Sequence, residues 1–343
     1  MNFRSDNESP VNAKIMQAIV DANNGFEESY GYDSYTIKLQ EEMMQLFGCW
    51  CEVVPLTTGT AANSLATALS TPPYGSLFCY TDSHINADEC GAPEFFADGA
   101  KLIGVTGENG KINPELLDET LAGTGVHGEH ECLPSAISLT QSTEAGTLYS
   151  MDELNKFNLI KQKYNLALHM DGSRIANAVA SSGTSIADMT WKRGVDLLSF
   201  GATKNGAMLA EALIIFNPKI GKEIKRRRKR AGHLISKMRF ISAQLLAYIK
   251  DDLWLELAKH ANDLASEFYQ QLKDTHEFIY PVQANEAFLR LSEEDILKLR
   301  QLGFEFHVWP GSNDIIRLVF SHCTQRKNVD YLIEVVKKEC SNT

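Results

Sequence analysis

Short apolar runs closed by turn-forming residues recur through the first two thirds of the chain, at 53–56, 77–80, 102–105, 136–139, 166–170, 197–200 and 212–216. Segments of helical periodicity, 63–69, 114–121 and 151–164, lie between several of them. A strand that is apolar throughout suits burial on both faces. Strands alternating with helices then call for a mostly parallel sheet with helices packed on each side. The pattern predicts an α/β fold.

Beyond Pro218 the pattern changes. Helical periodicity over 222–257 predicts one long helix, followed by another reaching 272. Strand-like pieces come next, at 278–282, 287–291, 304–308 and 315–320, and then a closing helix over 329–338. This reads as a smaller α+β domain attached through the long helix. We therefore divide the chain into an N-terminal arm and helix (1–44), a large ligand-binding domain (45–225) and a linking helix with a small C-terminal domain (226–343).

Charge and composition exclude several partners. With Lys plus Arg at 33 against Asp plus Glu at 44, the net charge of −11 gives no bias toward nucleic acid or an anionic membrane. The basic run at 225–230 is read as a solvated helix face or a subunit contact. No apolar run reaches the ~18 residues of a membrane span, and the N-terminus has no apolar leader. An odd seven cysteines without a C-x-x-C pair favour free thiols in a reducing compartment, so the cytoplasm is expected. His127 and His130 flank Glu129 in a glycine-rich polar loop, and we read them as structural or at the substrate's edge rather than as a metal site.

Three stretches carry candidate chemistry. T-T-G-T-A-A-N-S at 57–64 joins an apolar run to a helical segment, so the amides of Gly59, Thr60 and Ala61, with the Thr60 hydroxyl, could cradle a phosphate at a helix start. A plain N-cap threonine is the competing reading. L-A-L-H-M-D-G-S-R at 166–174 delivers Asp171 to a strand's C-terminal end, with Arg174 three residues on; there a carboxylate could serve a metal, a ribose or a protonated ring nitrogen, or simply pair with arginine at a turn. S-F-G-A-T-K-N-G at 199–206 sets Lys204 in a polar loop just after another strand, where a surface lysine is the ordinary alternative. Together and in this order, the three stretches match what pyridoxal phosphate needs: a phosphate cup, a partner for its ring nitrogen and an amine for its aldehyde.

R-S-D-N near the N-terminus, Y-G-Y-D at 30–33, T-G-T-A-A-N at 58–63, S-H-I at 83–85, E-C-G-A at 89–92, H-M-D-G-S-R at 169–174, S-F-G-A-T-K-N-G at 199–206 and I-R-L-V at 316–319 follow in order over nearly the whole chain. In these motifs the chain resembles the threonine aldolase family, within the β-eliminating lyases of fold-type I pyridoxal-phosphate enzymes, and most closely its low-specificity L-threonine and phenylserine aldolase branch. The resemblance implies a large domain with a mostly parallel central sheet plus a smaller C-terminal α+β domain. It also implies a cytoplasmic homodimer or homotetramer with shared active sites, acting on a small amino-acid substrate.

The roles it implies are specific. Lys204 would hold the cofactor as a Schiff base, His84 would stack on its ring, and Asp171 would pair with the ring nitrogen. Ser5, Arg174 and Arg317 would receive the substrate carboxylate, with Arg174 alternatively facing the ring hydroxyl. Tyr32 and a cation of 225–230 would border a neighbouring subunit's site. The chain departs from the family in two places. Ser173 stands where many members have alanine. Glu144, in Q-S-T-E-A, stands where many have a histidine, so the β-hydroxyl proton would go to Glu144, to His84 or to a water held by one of them. The implied reaction is cleavage of the Cα–Cβ bond of β-hydroxy-α-amino acids, with another pyridoxal-phosphate reaction such as β-elimination as the alternative.

Overall fold

The computed structural model describes residues 1–340; the last three residues of the expected second domain lie outside them. Among the described residues, β1 (Glu52–Leu56), β2 (Gly75–Tyr80), β3 (Lys101–Val105), β4 (Leu133–Thr140), β5 (Ala167–Gly172), β6 (Leu197–Gly201) and β7 (Glu211–Ile215) form one seven-stranded sheet in the order β1-β7-β6-β5-β4-β2-β3. β2 to β6 run parallel, and only β7 opposes its neighbours β1 and β6. Every residue of β5, β6 and β7 is buried, which is why their runs are mostly apolar. Helices Gly59–Ser70, Met151–Tyr164 and Ile175–Ser182 are among those connecting the strands. Ser150 and Glu153 close a reciprocal capping box on the second of them.

The main core packs around fully buried Phe47, Phe78, Phe157 and Phe200. Each such aromatic contributes on the order of 1.5–3 kcal/mol by leaving water. A separate apolar cluster surrounds the three-stranded antiparallel sheet of β8 (Glu286–Arg290), β9 (His307–Val308) and β10 (Ile315–Val319), in the order β8-β10-β9. Helix Leu253–Leu272 contributes to both clusters, with Trp254 and Leu257 in the first and Leu264 and Phe268 in the second.

The chain beyond Pro218 departs from the expected long helix. It is divided into Ile224–Arg230, Arg239–Ile249 and Leu253–Leu272. Gly232, at φ +79°, lies just past the end of the first piece, and Asp251 and Asp252, at φ 52° and 56°, turn the chain between the other two. Glycine and aspartate tolerate this left-handed geometry, which periodicity alone does not register. The strand expected over 278–282 is reduced to one bridge, Phe278 to Leu289, and that over 304–308 to His307–Val308.

The N-terminal arm crosses onto the second sheet. Phe3 donates its amide to the Glu305 carbonyl, accepts from the Val319 amide, and packs edge-on against Phe320. The following residues run back over the first sheet, where the Asn12 amide donates to the Gly206 carbonyl at 2.8 Å. No helix among the described residues is long and apolar enough to cross a membrane.

Candidate active site

Strand register assembles the site. Thr140 of β4 lies opposite Asp171 of β5, and Asp171 lies opposite Ser199 of β6. Lys204 follows β6 in a short turn, Thr203–Asn205. Antiparallel β7 begins at Glu211 beside Gly201 and Leu56, which brings Glu211 to the same rim. The loop leaving β4 carries Glu144, and the helix after β2 begins at His84. All these groups thus gather at the carboxyl end of a parallel sheet, where open α/β folds bind ligands.

The two central loops approach very closely. A Cβ on Gly201 would lie 2.5 Å from the Ser173 carbonyl oxygen, and one on Gly172 would lie 2.7 Å from that of Ser199. Glycine at both positions lets the Asp171 loop and the Lys204 loop touch backbone to backbone.

Gly59, Thr60, Asn63, His84, Glu89, Ser173, Lys204 and Glu211 are among the residues lining one cleft of about 230 Å³. Asp171, which is 2 % exposed, is held by two of these lining residues, Asn63 and Ser173. Its Oδ1 accepts from the Ser173 amide at 2.9 Å and the Ser173 hydroxyl at 2.7 Å, and its Oδ2 from Asn63 at 2.8 Å. Burial pushes this carboxyl upward, but the Ser173 hydroxyl, the Lys204 charge, the Ser173 amide and Asn63 together hold it below its ordinary value. Asp171 is therefore an anion with an oxygen available for a further donor. The Lys204 Nζ makes no hydrogen bond or ion pair among the described residues.

His84 donates from Nδ1 to Glu89 Oε1 at 2.8 Å, and that bond, aided by the charge of Asp171, raises its pKa. Asn63 joins the two carboxylates, donating to Glu89 Oε1 at 2.7 Å as well as to Asp171. Beside them Glu144 is half-buried. Its Oε1 accepts from the His84 amide at 2.8 Å and the Thr140 hydroxyl at 3.0 Å, while its Oε2 has no partner. Burial is the main cause that pushes Glu144 up to about 7. Glu211 is likewise raised to about 7 by burial, although the Thr203 amide donates to it at 3.3 Å.

The helix start offers fewer free amides than expected. Thr58 caps helix Gly59–Ser70, and its Oγ1 accepts from the Ala61 amide at 3.1 Å. The Ala61 amide expected to meet an anion is thus satisfied within the chain, leaving those of Gly59 and Thr60 at the helix start. The threonine-cap reading and the anion-cup reading describe one helix end.

The arginines are also more committed than the sequence suggested. Arg174 gives Nε and Nη2 to Asp6 at 2.7 and 2.9 Å, and its Nη1 lies 3.6 Å from Glu286. Asp6 takes the Nε–Nη2 edge of the guanidinium, and the outer Nη1–Nη2 edge still carries N–H donors. Arg317 donates to the Arg4 carbonyl at 3.3 Å, stands 4.0 Å from Glu286, and has an Nε without a partner. Ser5 accepts from the Asn7 amide and keeps its own hydroxyl proton to donate. Tyr32 is 67 % exposed and stands apart from the Lys204 cleft, in a groove it shares with Lys225 and Arg228. Glu131, between the two histidines and the next strand, accepts the Gly125 and His127 amides.

Asn63, Glu89, Asp6, Glu211 and Glu286 had no assigned role in the sequence reading. Asn63, Glu89 and Asp6 lie inside quoted motifs, so the signal for them was present. Glu211 and Glu286 lie outside those motifs, and Glu286 meets Arg174 only across a large sequence separation.

A buried anionic aspartate behind an uncommitted lysine, with open amides at a helix start, supplies what a protonated pyridine aldehyde carrying a phosphate requires. With this sheet order and second domain, the class is that of fold-type I pyridoxal-phosphate enzymes. The β-eliminating lyase family model matches residues 2–294. A low specificity L-threonine aldolase of Pseudomonas aeruginosa is 41 % identical over 312 residues, covering 90 % of this chain and 89 % of that protein. A solved threonine aldolase structure from Leishmania major superposes with a TM-score of 0.92 at 28 % identity, covering 98 % of each chain. A tryptophan decarboxylase structure from Catharanthus roseus, at 14 % identity, shares the fold with a TM-score of 0.76, over 98 % of this chain and 82 % of that one. The chain belongs to the β-eliminating lyase family.

Proposed function

We propose that this protein is a pyridoxal-phosphate-dependent aldolase. It cleaves the Cα–Cβ bond of β-hydroxy-α-amino acids, converting threonine and allo-threonine to glycine and acetaldehyde and accepting phenylserine as well. The observation that carries the reading is the presence, at one sheet rim, of the uncommitted Lys204 amine, the Asp171 anion and the unbonded, buried Glu144 oxygen. Similarity over nine tenths of the chain to an enzyme named for threonine cleavage supports the substrate class.

Bound pyridoxal phosphate draws electrons from a bond at Cα of the amino acid joined to it. This chain's residues do the rest. Lys204 would hold the aldehyde carbon, the Gly59 and Thr60 amides would receive the phosphate, and Asp171 would keep the ring nitrogen protonated. His84 would cover one ring face. Arg317, Ser5 and the outer Nη1–Nη2 edge of Arg174, which Asp6 holds in place, would take the substrate carboxylate. Fixing the carboxylate would select which bond at Cα is broken. Glu144 accepts the β-hydroxyl proton as the carbon–carbon bond breaks; a carboxyl raised to about 7 is matched to that transfer near neutral pH.

Glu144 carries a proton below about pH 7 and serves as a base only above it, so kcat for cleavage should rise with pH through that value and then level off. Glu144→Gln should lower kcat by more than about tenfold and flatten the profile, with KM nearly unchanged. His84→Phe is the control. If it removes the pH dependence while Glu144→Gln keeps it, the base is the imidazole.

We place the protein in the cytoplasm, a reading supported by its seven free cysteines. We also infer a homodimer or homotetramer in which Tyr32, Lys225 and Arg228 border a neighbour's site. Their shared groove, set apart from Lys204, supports that assignment.

A further inference from the structure

A line of polar side chains passes under the site through the interior of the sheet. His169 lies two residues before Asp171 on β5 and therefore faces the same side. Ser138 of β4 stands opposite His169, and Ser199 of β6 opposite Asp171. Asn63 reaches them from helix Gly59–Ser70. None of the four is more than 3 % exposed.

The direction of every bond in this line can be deduced. Asn63 faces two carboxylates, which only accept, so its NH2 must point at them and its Oδ1 at Ser199, 2.7 Å away. Oδ1 cannot donate, so the single Ser199 proton is spent there. The 3.0 Å contact between Ser199 Oγ and His169 Nε2 then requires a proton on Nε2. Burial drives the His169 pKa down to about 4, so the ring is neutral and Nδ1 is bare. Ser138 donates to Nδ1 at 2.8 Å.

We propose that His169 is a positioning residue for this site: as the Nε2–H tautomer it heads a one-way chain of donated hydrogen bonds, through Ser199 and Asn63, that ends on the carboxylates of Asp171 and Glu89. The proposal rests on the reading of Asp171 as the ring-nitrogen partner. Its physical content is the locking of one amide. Turned over, Asn63 would set its oxygen against two carboxylate oxygens and its NH2 against the Ser199 proton. The His169 N–H, by occupying the Ser199 lone pair, prevents that proton from turning away to permit the flip. Because Glu89 also holds His84 Nδ1, one buried imidazole orients both the aspartate behind the cofactor ring and the imidazole over it.

A long-range 1H–15N spectrum of the holoenzyme should show His169 protonated at Nε2 and bare at Nδ1. His169→Leu and Ser199→Ala should each weaken pyridoxal-phosphate retention in equilibrium dialysis by about three- to tenfold. Both should also shift the pH midpoint of the cofactor's visible band and lower kcat with little change in KM. His169→Gln, whose amide N–H replaces the Nε2 donor, should restore retention to within about twofold of wild type. Ser199→Ala, which removes only a hydroxyl, decides the matter if His169→Leu does not fold. An Nδ1–H tautomer, or wild-type retention and an unmoved band in Ser199→Ala, would overturn the proposal. A wild-type chain that takes up no pyridoxal phosphate overturns the functional reading instead, while the nitrogen shifts still report the bond order.

Discussion

The departure at residue 173 shows how a single hydroxyl matters at this site. Ser173 adds a second donor to Asp171 Oδ1, where an alanine would leave only the backbone amide. Ser173→Ala should therefore raise the Asp171 pKa and weaken cofactor retention modestly, by about two- to tenfold, measured by equilibrium dialysis. Unchanged retention would mean that the amide alone suffices. Asp171 and Lys204 were legible in the sequence because each directly follows an apolar run that can only be a buried strand. Their partners were not. Asn63 meets Asp171 across 108 positions, and Asp6 meets Arg174 across 168; such contacts exist only once the sheet and the arm are in place. Arg174 shows the reverse case, since its side chain was legible but its bond to buried Asp6 was not.

At the scale of the element, the start of helix Gly59–Ser70 serves two ends. Thr58 removes one amide from the anion cup, and in return fixes the turn that presents the amides of Gly59 and Thr60. Thr58→Val keeps the shape and loses the acceptor, so it should cost about 1 kcal/mol of stability. The urea midpoint should fall at constant slope, and Thr58→Ser should recover it. A midpoint equal to wild type in Thr58→Val would show that water or another group satisfies the Ala61 amide. Helical periodicity located this helix well because its neighbours are strands with turn residues between. It failed over 222–257 because Gly232, Asp251 and Asp252 adopt left-handed backbone inside a stretch whose apolar spacing continues across them.

For the whole molecule, the site is the meeting point of a parallel sheet, an arm that crosses to a second sheet, and a set of buried charges the fold must stabilise. Glu211 records what that costs. Its carboxyl moves from an ordinary 4.5 to about 7 on folding, so the folded state binds the extra proton in between. Stability then falls as pH rises from about 4.5 to 7 and is level beyond. Glu211→Gln should remove that loss, making the cofactor-free protein more stable than wild type by up to about 3 kcal/mol above pH 7, with no difference near pH 4. Denaturant melts across this range would reveal equal curves if Glu211 ionises normally. The alternation of strands and helices made the large sheet legible from sequence, whereas the return of Phe3 to the far sheet left no periodic trace. The central claim is that this assembled rim breaks a carbon–carbon bond. Quantifying the products from L-threonine tests it most directly: the account predicts glycine and acetaldehyde in equal amounts, abolished in Lys204→Ala. Ammonia and 2-oxobutyrate in place of glycine would contradict it.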